Sequence, residues 1–368
     1  MGCMTSATDR WSASTYVNEN AAGTNNEKRE WEINKCLSLT DVGVGVRVQA
    51  DFVSFDSDGF TINLGTAGLT GVVIYFLALG GTDITCKAGS FTSNSGTGSQ
   101  AVTGVGFKPT FVLFNGTPGG TVAGSSILYT SAIGGAASAS LKGTACGGDN
   151  NTFPSTAKGY QRSSECYARG QDVLSAEADF TSFDTDGMTI NWTTNPSAKT
   201  VPYLAINGIQ ASCGVFNQPG STGNQSVSAI GFQPSVVMAL SRCLIASTSF
   251  DNNSFMSFGA AVSSSQRAVI YSGMNNGGAT YQAGRDGDAA NFIKHETPNI
   301  LANPTVNAVA DFVSMDSGGF TSNWTTADAT ARETIWYALG PTGGGGSSGP
   351  PLSSGSQSKK RMLMGVGL

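Results

Sequence analysis

The length and composition of the chain exclude several classes of protein. Its 368 residues are enough for about two or three domains of ordinary size. With 49 glycines and only 12% charged residues, the chain lacks the side chains that usually cover helices and is rich in those that suit strands and turns, which predicts an all-β fold. A net charge of −5 provides no basic field, and the longest apolar run, residues 72–79, is far short of the about 20 residues of a membrane helix. Nucleic acid and membranes are therefore not expected as partners.

The cysteine and histidine content points away from metal and redox chemistry. The seven cysteines are widely spaced and include no Cys-x-x-Cys pair, so we expect free, buried thiols and a reducing compartment during folding. His295 is the only histidine, which excludes multi-histidine metal sites. The sequence also contains no nucleophile elbow, P-loop or Rossmann fingerprint. We therefore expect neither enzyme activity nor a cofactor.

Three stretches of the sequence resemble one another. They contain ADFVSFDSDGFTINL (within residues 50–81), ADFTSFDTDGMTINW (within 178–208) and ADFVSMDSGGFTSNW (within 310–340). Each stretch ends in a nearly continuous apolar segment, as expected of a central strand that is covered on both faces. The spacing of about 130 residues is that of a domain, so the sequence predicts tandem β-sandwich or jelly-roll domains built from an internal repeat.

A second signature precedes the first in two of the copies. It reads GSQAVTGVGFKPTFVLF in residues 98–114 and GNQSVSAIGFQPSVVMAL in residues 223–240. Proline cannot donate to a ladder, so Pro109 and Pro234 are expected at the entrance of a strand. The predicted domains are an incomplete first copy (1–81), a second copy (82–209), a third copy (210–340), a Gly/Ser/Pro linker (341–357) and a basic-apolar C-terminal docking peptide (358–368).

The first copy lacks the counterpart of residues 210–257, because residues 1–24 align with residues 258–280. Such a domain would have a strand-wide gap and an open edge, which is costly and adhesive. Three explanations are open. The sequence is a fragment of a longer chain, a neighbouring subunit donates the strand, or the copies are phased differently and the third one is incomplete.

The C-terminal peptide has three basic residues followed by a mainly apolar heptapeptide. This is long enough for one strand laid against a partner, and a disordered tail is the alternative. The candidate assembly residues are Lys359, Lys360, Arg361, Met362, Leu363 and Met364.

The DSDG tetrapeptides lie between two alternating runs and predict β-hairpins. Carboxylates at alternate positions of a turn can also hold Ca²⁺, for which the weak candidates are Asp56, Asp58, Asp184 and Asp186. The hairpin interpretation is favoured, because further oxygen ligands are missing and the third copy has Gly318 in place of the second aspartate.

Two Asn-Trp pairs are candidates for binding a glycan, since an indole ring can stack on a sugar. The residues are Asn191, Trp192, Asn323 and Trp324. The period-two alternation places both tryptophans on the core face of their strand, and the first copy has Leu64 there, so core packing is favoured.

The signatures resemble a recurrent domain of tailed-bacteriophage virion proteins, in which a GFxP strand, an S-F-[ND]-S-D-G-F-T hairpin and a closing Y-x-A strand follow one another. The resemblance covers residues 82–340 in two copies and residues 1–81 in part. It implies a concanavalin-like fold without catalytic residues. The chain departs from the family pattern at Thr110 and Ser235, where an acidic residue is usual.

The resemblance implies a virion structural protein, such as a tail fibre, collar or capsid decoration, that assembles by strand-edge and C-terminal peptide contacts. Its expected partners are other virion proteins and copies of itself in a homo-oligomer. Its expected location is the virion, assembled in the host cytoplasm. The alternative is a carbohydrate-binding, lectin-like host-attachment module that recognises a host-surface glycan.

Overall fold

The computed structural model describes residues 1–43, 45–68, 72–120, 123–194, 197–245, 249–299, 302–342 and 361–367, with Ala302 and the last segment described by their backbone alone. Within these residues the chain forms strands and no helix, so the prediction of an all-β fold is confirmed. Accordingly, no described residue belongs to a helix long and apolar enough to cross a membrane.

The strands form three units. The first contains β1 (Gly2–Met4), β2 (Arg10–Val17), β3 (Glu27–Glu32), β4 (Leu37–Asp41), β5 (Gly45–Phe55), β6 (Phe60–Ala67) and β7 (Ile74–Gly80). The second contains β8 (Thr85–Thr92), β9 (Gly98–Val102), β10 (Phe111–Asn115), β11 (Gly124–Ser126), β12 (Tyr129–Ala136), β13 (Lys142–Asp149), β14 (Lys158–Arg162), β15 (Tyr167–Gly170), β16 (Leu174–Asp184), β17 (Gly187–Thr194) and β18 (Thr200–Asn207). The third contains β19 (Ile209–Asn217), β20 (Gly223–Val227), β21 (Val236–Ser241), β22 (Asp251–Asn252), β23 (Ser254–Ala261), β24 (Arg267–Met274), β25 (Ala283–Asp288), β26 (Ile293–Asn299), β27 (Ala302–Asp316), β28 (Gly319–Thr326) and β29 (Glu333–Pro341). The last strand, β30 (Arg361–Gly367), belongs to the first unit by its pairing.

Each unit consists of a larger and a smaller antiparallel sheet with an apolar core between them. The larger sheets have the strand orders β11-β3-β2-β1-β30-β7, β22-β14-β13-β12-β10-β18-β8 and β25-β24-β23-β21-β29-β19. The smaller sheets have the orders β4-β5-β6, β15-β16-β17-β9 and β26-β27-β28-β20. Two short strands join neighbouring units, because β11 pairs with β3 and β22 pairs with β14.

The hairpins of the three smaller sheets have the same register. At the same distance from the turn, they contain the pairs Ala50–Leu64, Ala178–Trp192 and Ala310–Trp324. The register shifts next to this alanine and again after the phenylalanine two residues later in all three hairpins. A basic side chain of the larger sheet also reaches an aspartate of the smaller sheet at equivalent places, in the pairs Arg10–Asp51, Lys142–Asp179 and Arg267–Asp311. A common origin of the units and the domain boundaries given above stay predictions.

The larger sheets of the second and third units are largely buried on both faces. In β10, which begins two residues after Pro109 as predicted, Val112 and Phe114 enter the core between the two sheets of the unit. Phe111 and Leu113 enter a core on the opposite side, which all three units share. The shared core also contains Cys3, Trp11 and Leu77 of the first unit, Leu204 and Ile206 of the second, and Met238, Tyr337 and Leu339 of the third. Burial on both faces explains the nearly continuous apolar sequence of the closing strands β18 and β29, whereas in the equally apolar β7 only Leu77 is buried.

The shared core links the three units. Each unit has a core of its own, and within the described residues the second face of its larger sheet packs against the other units. Buried hydrogen bonds cross the same region. The indole nitrogen of Trp11 donates to the carbonyl oxygen of Tyr203, and the hydroxyl of Tyr337 donates to the carbonyl oxygen of Gly143, each at 2.8 Å. The three units therefore pack as one body.

A glycine lies where the two sheets of each unit approach most closely. A Cβ built on Gly2, Gly134 or Gly259 would lie 2.0, 2.1 or 2.0 Å from the carbonyl oxygen of Cys36, Cys166 or Phe292, respectively. Real side chains do not approach a carbonyl oxygen so closely, so the backbone would have to move. The close approach explains why these strand positions carry glycine.

We predict that Gly134→Ala lowers the free energy of unfolding by about 1–3 kcal/mol, because the added methyl group overpacks the sheet interface. Gly96→Ala is the matched control, since a Cβ at the exposed Gly96 meets nothing within 4 Å. Denaturant unfolding measures both variants. An equal loss of stability in the two would contradict the proposed close approach.

Candidate assembly edge

The first aspartate of each DSDG-type turn closes its hairpin. In the second unit, Asp184 accepts hydrogen bonds from the hydroxyl groups of Ser182 and Thr189, each at 2.7 Å. Asp56 and Asp316 accept the equivalent pair of bonds. These bonds, above all the one from Thr189, hold the pKa of Asp184 below its usual value. The hairpin prediction is confirmed, and in each turn one hydroxyl group binds each oxygen of the aspartate.

The second aspartate of the turn reaches a different loop. Asp186 accepts the backbone N–H groups of Gly106 and Gly104, which lowers its pKa and ties the turn to the segment before β10. Asp58 is exposed, because the first unit has no counterpart of that segment among the described residues. Three of the four calcium candidates thus serve as hydrogen-bond acceptors of the turns. In the part of the chain that the structure describes, no three His, Cys, Asp or Glu side chains are grouped so that they could hold a metal ion.

The glycan candidates Trp192 and Trp324 lie in the cores of their units, only 1% and 0% exposed. Each indole nitrogen donates to a glutamine side chain of the neighbouring strand, to Gln100 at 2.7 Å and to Gln225 at 2.8 Å. Neither ring offers a face for stacking on a sugar. The role of the two glutamines was not expected from the sequence, although both follow the glycine of the second signature at the same spacing. The accompanying asparagines, Asn191 and Asn323, lie on the other face of their strands, the former exposed and the latter half-buried.

His295 is fully buried in the third unit. Its Nδ1 atom lies 2.8 Å from the Oε1 atom of Gln218, and its Nε2 atom lies 3.3 Å from the hydroxyl oxygen of Thr334. Burial, and then the charge of Arg332, lower the pKa of His295 to about 3, so the ring is neutral at pH 7. All seven cysteines are buried thiols, as predicted, and burial raises the pKa of thiols such as Cys36, here to about 11.

Two carboxyl groups meet at the buried junction of the first and second units. Glu27 and Asp149 are both 0% exposed. Glu27 accepts the backbone N–H groups of Tyr129 and Asn151, at 3.1 and 3.2 Å, and Asp149 accepts the hydroxyl hydrogen of Ser155 at 2.7 Å. Burial, and then the hydrogen bond with Asp149 and the charge of this residue, raise the pKa of Glu27 to about 10. This raised pKa favours the protonated form of Glu27 at neutral pH.

The C-terminal segment fills the central position of the first unit's larger sheet. β30 pairs antiparallel with β1 on one side and with β7 on the other. In the second unit β10 lies in the same way between β12 and β18, and in the third unit β21 lies between β23 and β29. β30 thus has the place of the strand that follows the GFxP signature in the other two units.

This position corrects the expectation of a peptide that docks on a partner or stays disordered. The strand pairs within its own chain, so none of the three explanations for the gap in the first copy is needed for this position. Without β30, both β1 and β7 would have a row of unpaired N–H and C=O groups inside the sheet, whereas a strand from the same chain costs only the closure of a loop. Of the candidate assembly residues, Arg361, Met362, Leu363 and Met364 lie in β30, and Lys359 and Lys360 lie outside the described residues.

Two strands of the first unit have an edge that no described residue covers. β7 pairs only with β30 and β6 only with β5, whereas β8 and β9 cover their counterparts in the second unit, and β19 and β20 do so in the third. We call β6 and β7 together the open edge. Leu64, expected to point inward, is 52% exposed, while Trp192 at the equivalent place is 1% exposed. Phe76 in β7 is 60% exposed, and Val73, directly before β7, is 53% exposed, so large apolar side chains are displayed along and next to the open edge.

A groove with a volume of about 390 Å³ runs between β7 and the third unit. Its walls include Ile74, Leu77 and Ala78 on one side and Phe258, Ala260 and Ile270 on the other. An extended chain alongside β7 would be hydrogen-bonded to the strand and buried against both apolar walls.

Comparison with protein-family models gives no match, and comparison with curated proteins gives none either. The function is therefore inferred from the residues and the geometry of this chain.

We predict that a variant lacking residues 358–368 unfolds at a lower temperature than the full chain, because β1 and β7 lose their common neighbour. A synthetic peptide of residues 358–368 added in excess should restore part of the melting temperature in a concentration-dependent way. The same peptide with Met364→Pro should not, because proline removes a ladder hydrogen bond from a central strand. Unchanged melting of the truncated chain would show that β30 does not complete the sheet.

We predict that Glu27→Gln flattens the pH dependence of stability. Because the folded state keeps a proton that the unfolded state releases between pH 4.5 and about 10, the wild type loses stability as the pH rises through this range. The contribution is up to about 1.4 kcal/mol per pH unit. Melting temperatures from pH 6 to 9 should fall less steeply for Glu27→Gln than for wild type. Equal slopes would mean that Glu27 is ionised in the folded protein.

Proposed function

We propose that the protein is a structural component of a bacteriophage virion, such as a tail fibre, collar or capsid decoration, and that it assembles through strand edges. The open edge supports this proposal most directly. Proteins that stay monomeric usually shorten, charge or cover their edge strands. Here the edge strands β6 and β7 display Leu64 and Phe76 instead, and the exposed Val73 directly precedes β7.

The rest of the molecule supports a role as building material. Its three sandwich units pack on one shared core, and the strand ladders of β11 and β22 join neighbouring units. Such a body resists shear between its units. The two sequence signatures, which resemble those of tailed-bacteriophage virion proteins, support the placement on a virion, with other virion proteins and copies of itself as partners.

The lectin-like alternative has less support. Its tryptophans, Trp192 and Trp324, are buried and hydrogen-bonded to glutamines, so a sugar would have to bind through other residues.

We predict that purified particles of the phage that encodes this chain contain it in many copies, as counted by quantitative mass spectrometry. A phage whose gene lacks residues 341–368 should produce particles without the protein, because the first unit then lacks its central strand. The conservative variant Gly318→Ala, at a position where a Cβ meets nothing within 4 Å, should be incorporated normally. Particles that lack the full-length protein would reject the proposed function.

A further inference from the structure

We propose that the open edge is a strand-acceptor groove, which binds an extended two-strand segment of a partner polypeptide antiparallel to β7 and β6. This inference deepens the proposed structural function and rests on it for the kind of partner, another assembly protein. Strand addition gives affinity through main-chain hydrogen bonds and specificity through alternate side chains.

The second and third units show what covers the equivalent edge. β8 pairs with β18 along its whole length, and β19 does so with β29. β9 and β20 cover the smaller sheets by pairing with β17 and β28. In both units the two covering strands are consecutive in the sequence, so that one segment, such as residues 85–102, covers both sheets. A donor for the first unit therefore needs two strands at a similar spacing.

The second wall of the groove comes from a neighbouring unit. β8 contacts β1 and β2 of the first unit, and β19 contacts β13 of the second. In these positions, Cys86, Ala88 and Cys213 enter the shared core. In the first unit, the equivalent position lies between β7 and the strands β23 and β24 of the third unit, and the groove of about 390 Å³ is found there. The two walls of this groove are therefore equivalent to the two surfaces against which β8 and β19 pack.

Gly59 is an independent indication of a donor backbone. A Cβ on Gly187 would lie 2.0 Å from the carbonyl oxygen of Val102 in β9, and one on Gly319 would lie 1.8 Å from that of Val227 in β20. These turns need glycine because the covering strand passes so close. Gly59 has the same position in its turn, but no described atom lies within 4 Å of a Cβ built there. A glycine at this position fits a strand that arrives with a partner.

The register predicts the side chains of the first donor strand. In β8, Cys86 and Ala88 lie opposite Ile206 and Leu204 in the shared core, where only small side chains fit. β7 has leucines at both equivalent positions, of which Leu77 is buried in the shared core. The donor is therefore expected to have alanine or cysteine at two alternate positions opposite these leucines.

The second donor strand faces a different surface from its counterparts. Gln100 and Gln225 are needed in β9 and β20 because they accept the N–H groups of buried tryptophans. Leu64, the equivalent residue of the first unit, has no such group. A buried glutamine would lose its partner here, so the donor is expected to have an apolar side chain at the position of Gln100, which by the register lies opposite Ile62 and diagonal to Leu64.

The probe for this groove is a synthetic, fluorescently labelled peptide of residues 82–102 of this chain with the substitution Gln100→Leu. It has the two-strand spacing, the small residues and the apolar residue that the groove requires. Saturable one-to-one binding to the full-length protein is expected in fluorescence anisotropy. The same peptide with the further substitution Lys87→Pro should bind at least about tenfold more weakly. The alternation of an antiparallel ladder directs the N–H of Lys87 to the paired strand, whereas the N–H of Ala88 donates to the hydroxyl oxygen of Thr5.

Two protein variants distinguish the groove from other surfaces. Gly59→Ala adds a methyl group that touches no described atom in the free protein but would meet the carbonyl group of the donor, so unchanged stability and about tenfold weaker peptide binding are expected. Gly318→Ala in the third unit is the matched control, and it should bind the peptide as the wild type does.

Absence of saturable binding, or binding that Gly59→Ala leaves unchanged, would overturn the proposal. Concentration-dependent dimerisation that Gly59→Ala abolishes would also overturn it, by assigning the open edge to a second copy of this chain. Peptide binding that occurs only after residues 343–357 are deleted would assign the groove to that segment instead. If particles incorporate the protein but the peptide does not bind, only the strand-acceptor groove is rejected. If the peptide binds but particles lack the protein, only the virion role is rejected.

Discussion

The central strand of each larger sheet is the constraint on which the molecule depends. β10, β21 and β30 each pair with a strand on both sides, and one face of each of their sheets packs against the core that the three units share. A gap at this position would leave two rows of backbone groups without hydrogen bonds inside the protein, where water cannot replace them. The second and third units contain this strand within their own continuous sequence, whereas the first unit obtains it from the far end of the chain.

The pairing of β30 joins the two ends of the chain. β1 begins at Gly2 and β30 ends at Gly367, and both lie side by side in the first unit. The shared core then connects this unit to the other two, so that loss of the terminal strand is expected to weaken more than its own sheet. The comparison of the three units also shows which strands the open edge lacks. The central strand is present in all three units, but among the described residues only the second and third units have the two strands that cover the next edge.

Local patterns in the sequence predict much of this fold. The hairpins follow from the turn residues around Asp56, Asp184 and Asp316, and the alternation correctly places Trp192 and Trp324 in their cores. The apolar residues of the C-terminal segment indicate that it forms a strand, but they do not indicate its partners. Its pairing depends on which strands still lack a neighbour in the folded protein. The exposure of Leu64 has the same origin, because period two gives the face of a side chain but not whether a neighbouring strand covers it. The shared core was missed because a strand that is apolar on both faces does not identify what covers the second face.

Residue-resolved hydrogen exchange of β7 tests the central claim most directly. In β18 and β29, which have a strand on each side, every backbone N–H in the ladder should be protected. In β7, alternate N–H groups point to β30 and should be protected, and those between them point to the open edge and should exchange at rates near those of an unfolded chain. Rapid exchange of all N–H groups of β7 would show that β30 does not complete the sheet, and protection of all of them would show that the edge is already covered.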